Sequence, residues 1–155
     1  MTRLRPGDPA PALCLPDADG RMWTLSGLRG SKVILYFYPA DDTPGCTAQA
    51  CDFRDAQRDF DAAGYIVLGV SPQGADSHRA FARRYGLGFP LLVDADFAAA
   101  EAFGVVREEP GRYGDIPLDL RRCTFVIDEE GRIESALYDV KARGHVERLR
   151  ELLAL

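Results

Sequence analysis

Lysine is almost missing from this chain. Of 19 basic residues only Lys32 and Lys141 are lysine, and arginine carries the rest. Against 24 acidic residues the net charge is −5, with no Lys/Arg stripe clustered along any segment. Nucleic acid is therefore a poor candidate for a partner. No run of about eighteen apolar residues exists, so no membrane-spanning helix is predicted. The stretch Met1-Thr-Arg-Leu-Arg-Pro-Gly-Asp-Pro9 is charged but lacks the apolar core of a secretory signal. The expected compartment is the cytoplasm, where thiols stay reduced. Histidine is scarce, with two in 155 residues, and the cysteines at 14, 46, 51 and 123 lack the spacing of a tetrahedral zinc site. Neither a metal nor a cofactor is expected. The remaining composition, 46% hydrophobic and 28% charged, suits one globular domain over residues 1–155.

The stretch from Tyr36 to Cys51 organises the rest. An apolar run, Val33–Tyr38, enters it as a strand and stops at Pro39, which a central strand does not readily continue through. Thr43-Pro44 then reads as a helix start, with Thr43 at the N-cap and Pro44 at the first helical position. Cys46 falls within the first turn, among N–H groups without an intrahelical partner. The positive end of the helix favours a thiolate there. Most free cysteines are small buried apolar residues. The Pro44-Gly45 approach argues for more, because it brings backbone close to something small.

On a helical wheel, Ala50, Phe53, Ala56 and Phe60 fall within about 40° of Cys46, so this side faces the core. Cys51 falls near 140°, beside Asp55 and Arg58. In an intact helix the two cysteine Cα atoms stand roughly 8–9 Å apart, beyond the reach of about 7 Å for a disulfide. A bond between them requires the first turns to unwind. The Cys-x4-Cys spacing also differs from the Cys-x2-Cys of a dithiol oxidoreductase.

The flanking sequence supplies a scaffold. Ala10–Leu15 and Met22–Thr24, around the turn Asp17-Ala-Asp-Gly20, predict an N-terminal β-hairpin in which Cys14 packs. The helix from Thr43 ends near Ala63, with Gly64 after it, and Tyr65–Ser71 is the next buried strand. Strand, helix, strand is a βαβ unit with parallel strands. A second helix, capped by Asp76 or Ser77, runs to Tyr85 and Gly86; its His78 is expected to be packed and hydrogen-bonded. Phe89–Val93 is a short strand and Phe97–Phe103 a short helix ended by Gly104. The least regular stretch is Arg107–Leu120. Arg122–Ile127 and Arg132–Tyr138 read as a hairpin, with Arg122 and Thr124 on one face and Cys123 and Phe125 on the other. Gly144–Leu155 is an amphipathic terminal helix, with His145 expected in solvent or in a capping contact.

Pro39-x3-Thr43-x2-Cys46 resembles the active-site signature of the peroxiredoxins. The run Pro44-Gly-Cys-Thr-x-Gln-Ala-Cys-x-Phe-Arg-Asp55 is similar to their PrxQ, or bacterioferritin comigratory protein, subfamily. So are Gly69-Val-Ser-Pro72, Ser77-His-x2-Phe81, Phe89-Pro-Leu-Leu92 and Arg122-x-Thr-Phe-x-Ile-Asp128. The resemblance covers nearly the whole chain in order. It implies an α/β, thioredoxin-like fold, a central mixed sheet flanked by helices. It also implies a thiol peroxidase acting on hydrogen peroxide or organic hydroperoxides. Cys46 would be the attacking thiol and Cys51 the resolving one, closing an intramolecular disulfide. Pro39 would shield the thiol, while Thr43 and Arg122 stabilise developing charge. Thioredoxin or a similar dithiol would regenerate a monomeric enzyme. Two other functions fit the same cysteines: a thiol–disulfide oxidoreductase, and a redox-sensing or chaperone module without turnover.

Overall fold

The computed structural model describes residues 3–107 and 119–155. At its centre is a five-stranded mixed sheet. In chain order its strands are β3 (Lys32–Phe37), β4 (Tyr65–Ser71), β5 (Leu91–Val93), β8 (Cys123–Ile127) and β9 (Ile133–Leu137). Spatially they run β5-β4-β3-β8-β9. The first three are mutually parallel, as the βαβ reading requires, and β8 and β9 are antiparallel to their neighbours.

Strand β3 lies in the middle and is apolar on both faces, which is why its sequence shows no polar alternation. Val33, Leu35 and Phe37 point into one core layer, with Phe103 and Phe125. Ile34, Tyr36 and Tyr38 point into the other, with Cys46, Phe53 and Phe60. The first layer is covered by α3 (Ala98–Ala102), and the second by α1 (Pro44–Ala62), α2 (Ala75–Tyr85) and α4 (His145–Leu152). Outside the sheet, β1 (Cys14–Pro16) and β2 (Met22–Thr24) form the N-terminal hairpin, and β6 (Val106–Arg107) pairs with β7 (Asp119–Leu120).

Several local expectations change. Cys14 is exposed while Leu13 and Leu15 beside it are buried, because alternation turns its thiol outward. The second helix is capped at Gly74 rather than at Asp76 or Ser77, and the Ser77 hydroxyl is spent on a tertiary bond. Helix α3 is shorter than Phe97–Phe103. Phe97 is left-handed at φ 62°, and the buried Asp94 carboxylate accepts from the N–H groups of Ala99 and Ala100. His145 is 5% exposed, well inside the core it was expected to leave. In the Arg107–Leu120 stretch the two ends pair as strands, and residues 108–118 lie outside the described part.

Candidate active site

Helix α1 begins where Thr43-Pro44 predicts. Thr43 has the extended backbone of an N-cap (φ −89°, ψ 156°), and its carbonyl accepts from Thr47 N–H at 2.8 Å. Its hydroxyl departs from expectation. It makes no cap bond and donates instead to the Ala40 carbonyl at 3.1 Å. The hydroxyl proton is therefore committed within the loop, and the oxygen lone pairs remain for an incoming donor.

Cys46 lies on the inward face of α1 with Gln49, Ala50, Phe53, Ala56 and Phe60, all buried. Its thiol is free and 1% exposed. Arg122, immediately before β8, reaches across from the sheet: Nη2 donates to Cys46 Sγ at 3.3 Å and Nη1 donates to Gln49 Oε1 at 2.6 Å. The Arg122 carbonyl accepts from Val140 N–H at 2.8 Å, which fixes the backbone from which the side chain extends. The sulfur thus faces a guanidinium and sits in the first turn of a helix.

Gly45 leaves room for this approach. A methyl group there would stand 3.3 Å from Arg122 Nη2 and 3.4 Å from Ala142 Cβ. Pro39 is buried and, with Leu120, Arg122 and Val140, lines a cavity of about 240 Å³. The structure therefore brings Cys46 and Arg122 into contact and sets Pro39 and Thr43 in the loop that leads to them.

Cys51 is half-buried, and α1 runs unbroken from Pro44 through both cysteines. By helix geometry their Cα atoms stay roughly 8–9 Å apart. The other two cysteines are elsewhere. Cys123 lies in the opposite core layer, as alternation predicts, and burial pushes its thiol up to about 12.

Gln49 escaped the sequence reading although it stands inside the quoted motif. Its spacing, three residues after Cys46, was the available signal, because i and i+3 share a helix face. Its Nε2 is buried without a partner among the described residues, so Gln49 is held by Arg122 through its oxygen alone. Beneath the pair lies a second layer. The buried His145 Nε2 shares a 2.8 Å hydrogen bond with Thr124 Oγ1, and its ring meets the Phe53 ring edge-on at 6.4 Å. Burial, then the charges of Arg122 and Arg148, lower its pKa to about 4. His145 is therefore neutral at pH 7.

A thioredoxin-like sheet carrying a thiol and a guanidinium at a helix start defines a class of cysteine-based redox proteins, and comparison narrows it. Residues 6–136 match the AhpC/TSA family. A putative peroxiredoxin of Mycobacterium tuberculosis is 51% identical over 154 residues, 99% of this chain and 98% of that protein. Peroxiredoxin Bcp of Escherichia coli is 40% identical over 147 residues, 94% and 92% of the two chains. A solved structure of the Xanthomonas campestris bacterioferritin comigratory protein, studied for alkyl peroxide reduction, superposes with a TM-score of 0.84 at 37% identity, covering 92% of this chain and 90% of that one. The chain belongs to the AhpC/TSA family, as a peroxiredoxin of the Bcp (PrxQ) kind.

Proposed function

We propose that this peroxiredoxin reduces hydrogen peroxide and organic hydroperoxides through Cys46, with Cys51 as its resolving partner in the same chain. The observation that carries this reading is the contact of Arg122 Nη2 with Cys46 Sγ. In the first step the Cys46 thiolate attacks one peroxide oxygen, the O–O bond breaks, and the products are Cys46 sulfenic acid and an alkoxide or hydroxide that takes up a proton. The leaving oxygen develops negative charge in a buried site. Arg122 and the N–H groups of the first turn of α1 are the donors that stabilise that charge in this reading. The Thr43 oxygen accepts from the hydroperoxide O–H and orients it. Pro39 keeps bulk water from the sulfur. The X. campestris relative's activity on alkyl peroxides supports organic hydroperoxides as substrates.

In the second step the Cys51 thiol attacks the Cys46 sulfur. A disulfide forms, and the sulfenic oxygen leaves as water. Because α1 holds the pair too far apart, its first turn unwinds for this step. A dithiol reductant, for which thioredoxin is our choice, returns both thiols and is itself oxidised to a disulfide. Both cysteines belong to one chain, so a monomer is a sufficient catalytic unit. The reducing cytoplasm is the compartment that suits such a cycle, and antioxidant defence is its purpose. The test is consumption of hydroperoxide with a dithiol regenerating system. Cys46→Ser abolishes turnover, whereas Cys51→Ser keeps the first oxidation and loses the disulfide. A Cys51→Ser protein that still forms a disulfide through Cys14 or Cys123 contradicts the resolving role.

A further inference from the structure

The loop between β3 and α1 is tied down ahead of Cys46 by groups that the thiol chemistry leaves unused. The Asp41 side chain is 3% exposed. Its Oδ1 accepts from the Tyr38 hydroxyl at 2.6 Å, and its Oδ2 accepts from Ser77 Oγ at 2.7 Å and faces His78 Nδ1 at 2.6 Å. Its backbone N–H donates to Gln73 Oε1. His78 is fully buried in α2, and its Nε2 faces the Leu92 carbonyl of β5 at 2.9 Å. A carbonyl only accepts, so Nε2 carries a proton. The Nδ1–Oδ2 contact is at the short end of the hydrogen-bond range. The next residue, Asp42, is left-handed at φ 58°, uncommon for a residue with a side chain. Arg84 Nη1 and the Tyr85 hydroxyl both donate to its carboxylate at 2.7 Å. Helix α2 therefore grips two consecutive aspartates of the loop that delivers Cys46.

These bonds exist in the folded arrangement, in which Cys46 cannot reach Cys51. Whatever holds Asp41 on α2 favours that arrangement over the unwound one. We propose that the Asp41–His78 pair is the latch of the Cys46 loop. His78 is then a positioning residue: by holding Asp41 it sets how long the Cys46 sulfenic acid stays folded, and so divides it between two fates. One is closure onto Cys51 with loss of water. The other is reaction with a second hydroperoxide, which gives a sulfinic acid and an alcohol or water. The inference rests on the Cys46–Cys51 cycle proposed above. A latch and a merely structural contact differ in sign. Releasing a latch speeds closure, whereas loosening a scaffold slows the first oxidation and closure together.

The test is rapid-quench intact mass of the reduced protein after mixing with hydrogen peroxide, which separates thiol, sulfenic acid, disulfide and sulfinic acid. His78→Phe keeps an aromatic ring, one atom larger, and removes both nitrogens. It is expected to close the disulfide about tenfold faster, equivalent to about 1.4 kcal/mol. It should also give less sulfinic acid at equal peroxide, with a first oxidation no faster than before. Ser77→Ala removes one bond to Asp41 at a half-exposed site and shifts closure less, in the same direction. It decides the matter should His78→Phe not fold. Closure rates unchanged in the variants, or slowed in step with the first oxidation, overturn the latch. A parent protein that consumes peroxide without forming the Cys46–Cys51 disulfide overturns the cycle and the latch with it.

Discussion

Arg122 Nη2 donates to Cys46 Sγ at 3.3 Å while Nη1 of the same guanidinium donates to Gln49 Oε1 at 2.6 Å. One planar fork thus joins the sheet to two successive turns of α1, and the sulfur receives its hydrogen bond from a group that cannot swing freely. Removing the fork should cost more than one bond. Arg122→Met is expected to slow the first oxidation by about 10²–10³, the loss typical of an oxyanion donor. Arg122→Lys should recover little of it, since an ammonium cannot bridge both partners. Gln49→Leu should cost less, and the double variant less than the sum, because both act through one guanidinium. Stopped-flow peroxide kinetics measure all of these.

The floor under the site makes a separate demand. Gly69 of β4 faces the Tyr36 ring, and a Cβ there would stand 2.9 Å from Leu91 Cδ2 and 3.0 Å from Tyr36 Cζ. Tyr36 is stacked on Phe53 at 4.5 Å and has no room to retreat. Gly69→Ala should destabilise the fold by about 1–3 kcal/mol. A urea midpoint unchanged from the parent would contradict this packing.

How much of this was legible follows from the kind of signal each feature leaves. The start of α1 was legible because Thr43-Pro44 is local chemistry, and its buried face because Cys46, Ala50, Phe53 and Phe60 repeat at helical spacing. Strand alternation set Arg122 and Cys123 on opposite faces, whereas the Arg122-x-Thr-Phe resemblance, not alternation, pointed Arg122 at Cys46. The Asp41–His78 contact was hidden, because 37 residues separate the partners and a loop aspartate looks like turn chemistry. Thr43 misled for the opposite reason. A capping residue was correctly placed, but its hydroxyl had a competing acceptor three residues back that no propensity reveals. His145 looked like a helix-end residue, yet the docking of α4 on β8 carries it into the core.

That burial makes stability depend on pH. The His145 pKa is lowered from 6.5 to about 4, so the unfolded chain binds this proton more readily than the folded one. The contribution is complete above pH 6.5 and is lost as the pH falls towards 4, by on the order of 2–3 kcal/mol. Urea unfolding between these limits should show the loss, and His145→Gln should flatten it. A slope equal in both proteins would contradict the assignment.

The four thiols should also separate by reactivity. Cys14 is exposed, whereas Cys123 is buried with its thiol raised to about 12. Alkylation of the reduced, folded protein near pH 8 should label Cys14 readily and Cys123 only on unfolding. Early labelling of Cys123 would contradict its place in the core.

The central claim is that Cys46 meets the peroxide and Cys51 closes on it. It is tested most directly by peptide mass mapping, under non-reducing conditions, of the reduced protein after one equivalent of hydrogen peroxide. A Cys46–Cys51 linkage, with Cys14 and Cys123 still thiols, is the predicted result. Four untouched thiols, or a linkage that omits Cys46, would contradict it.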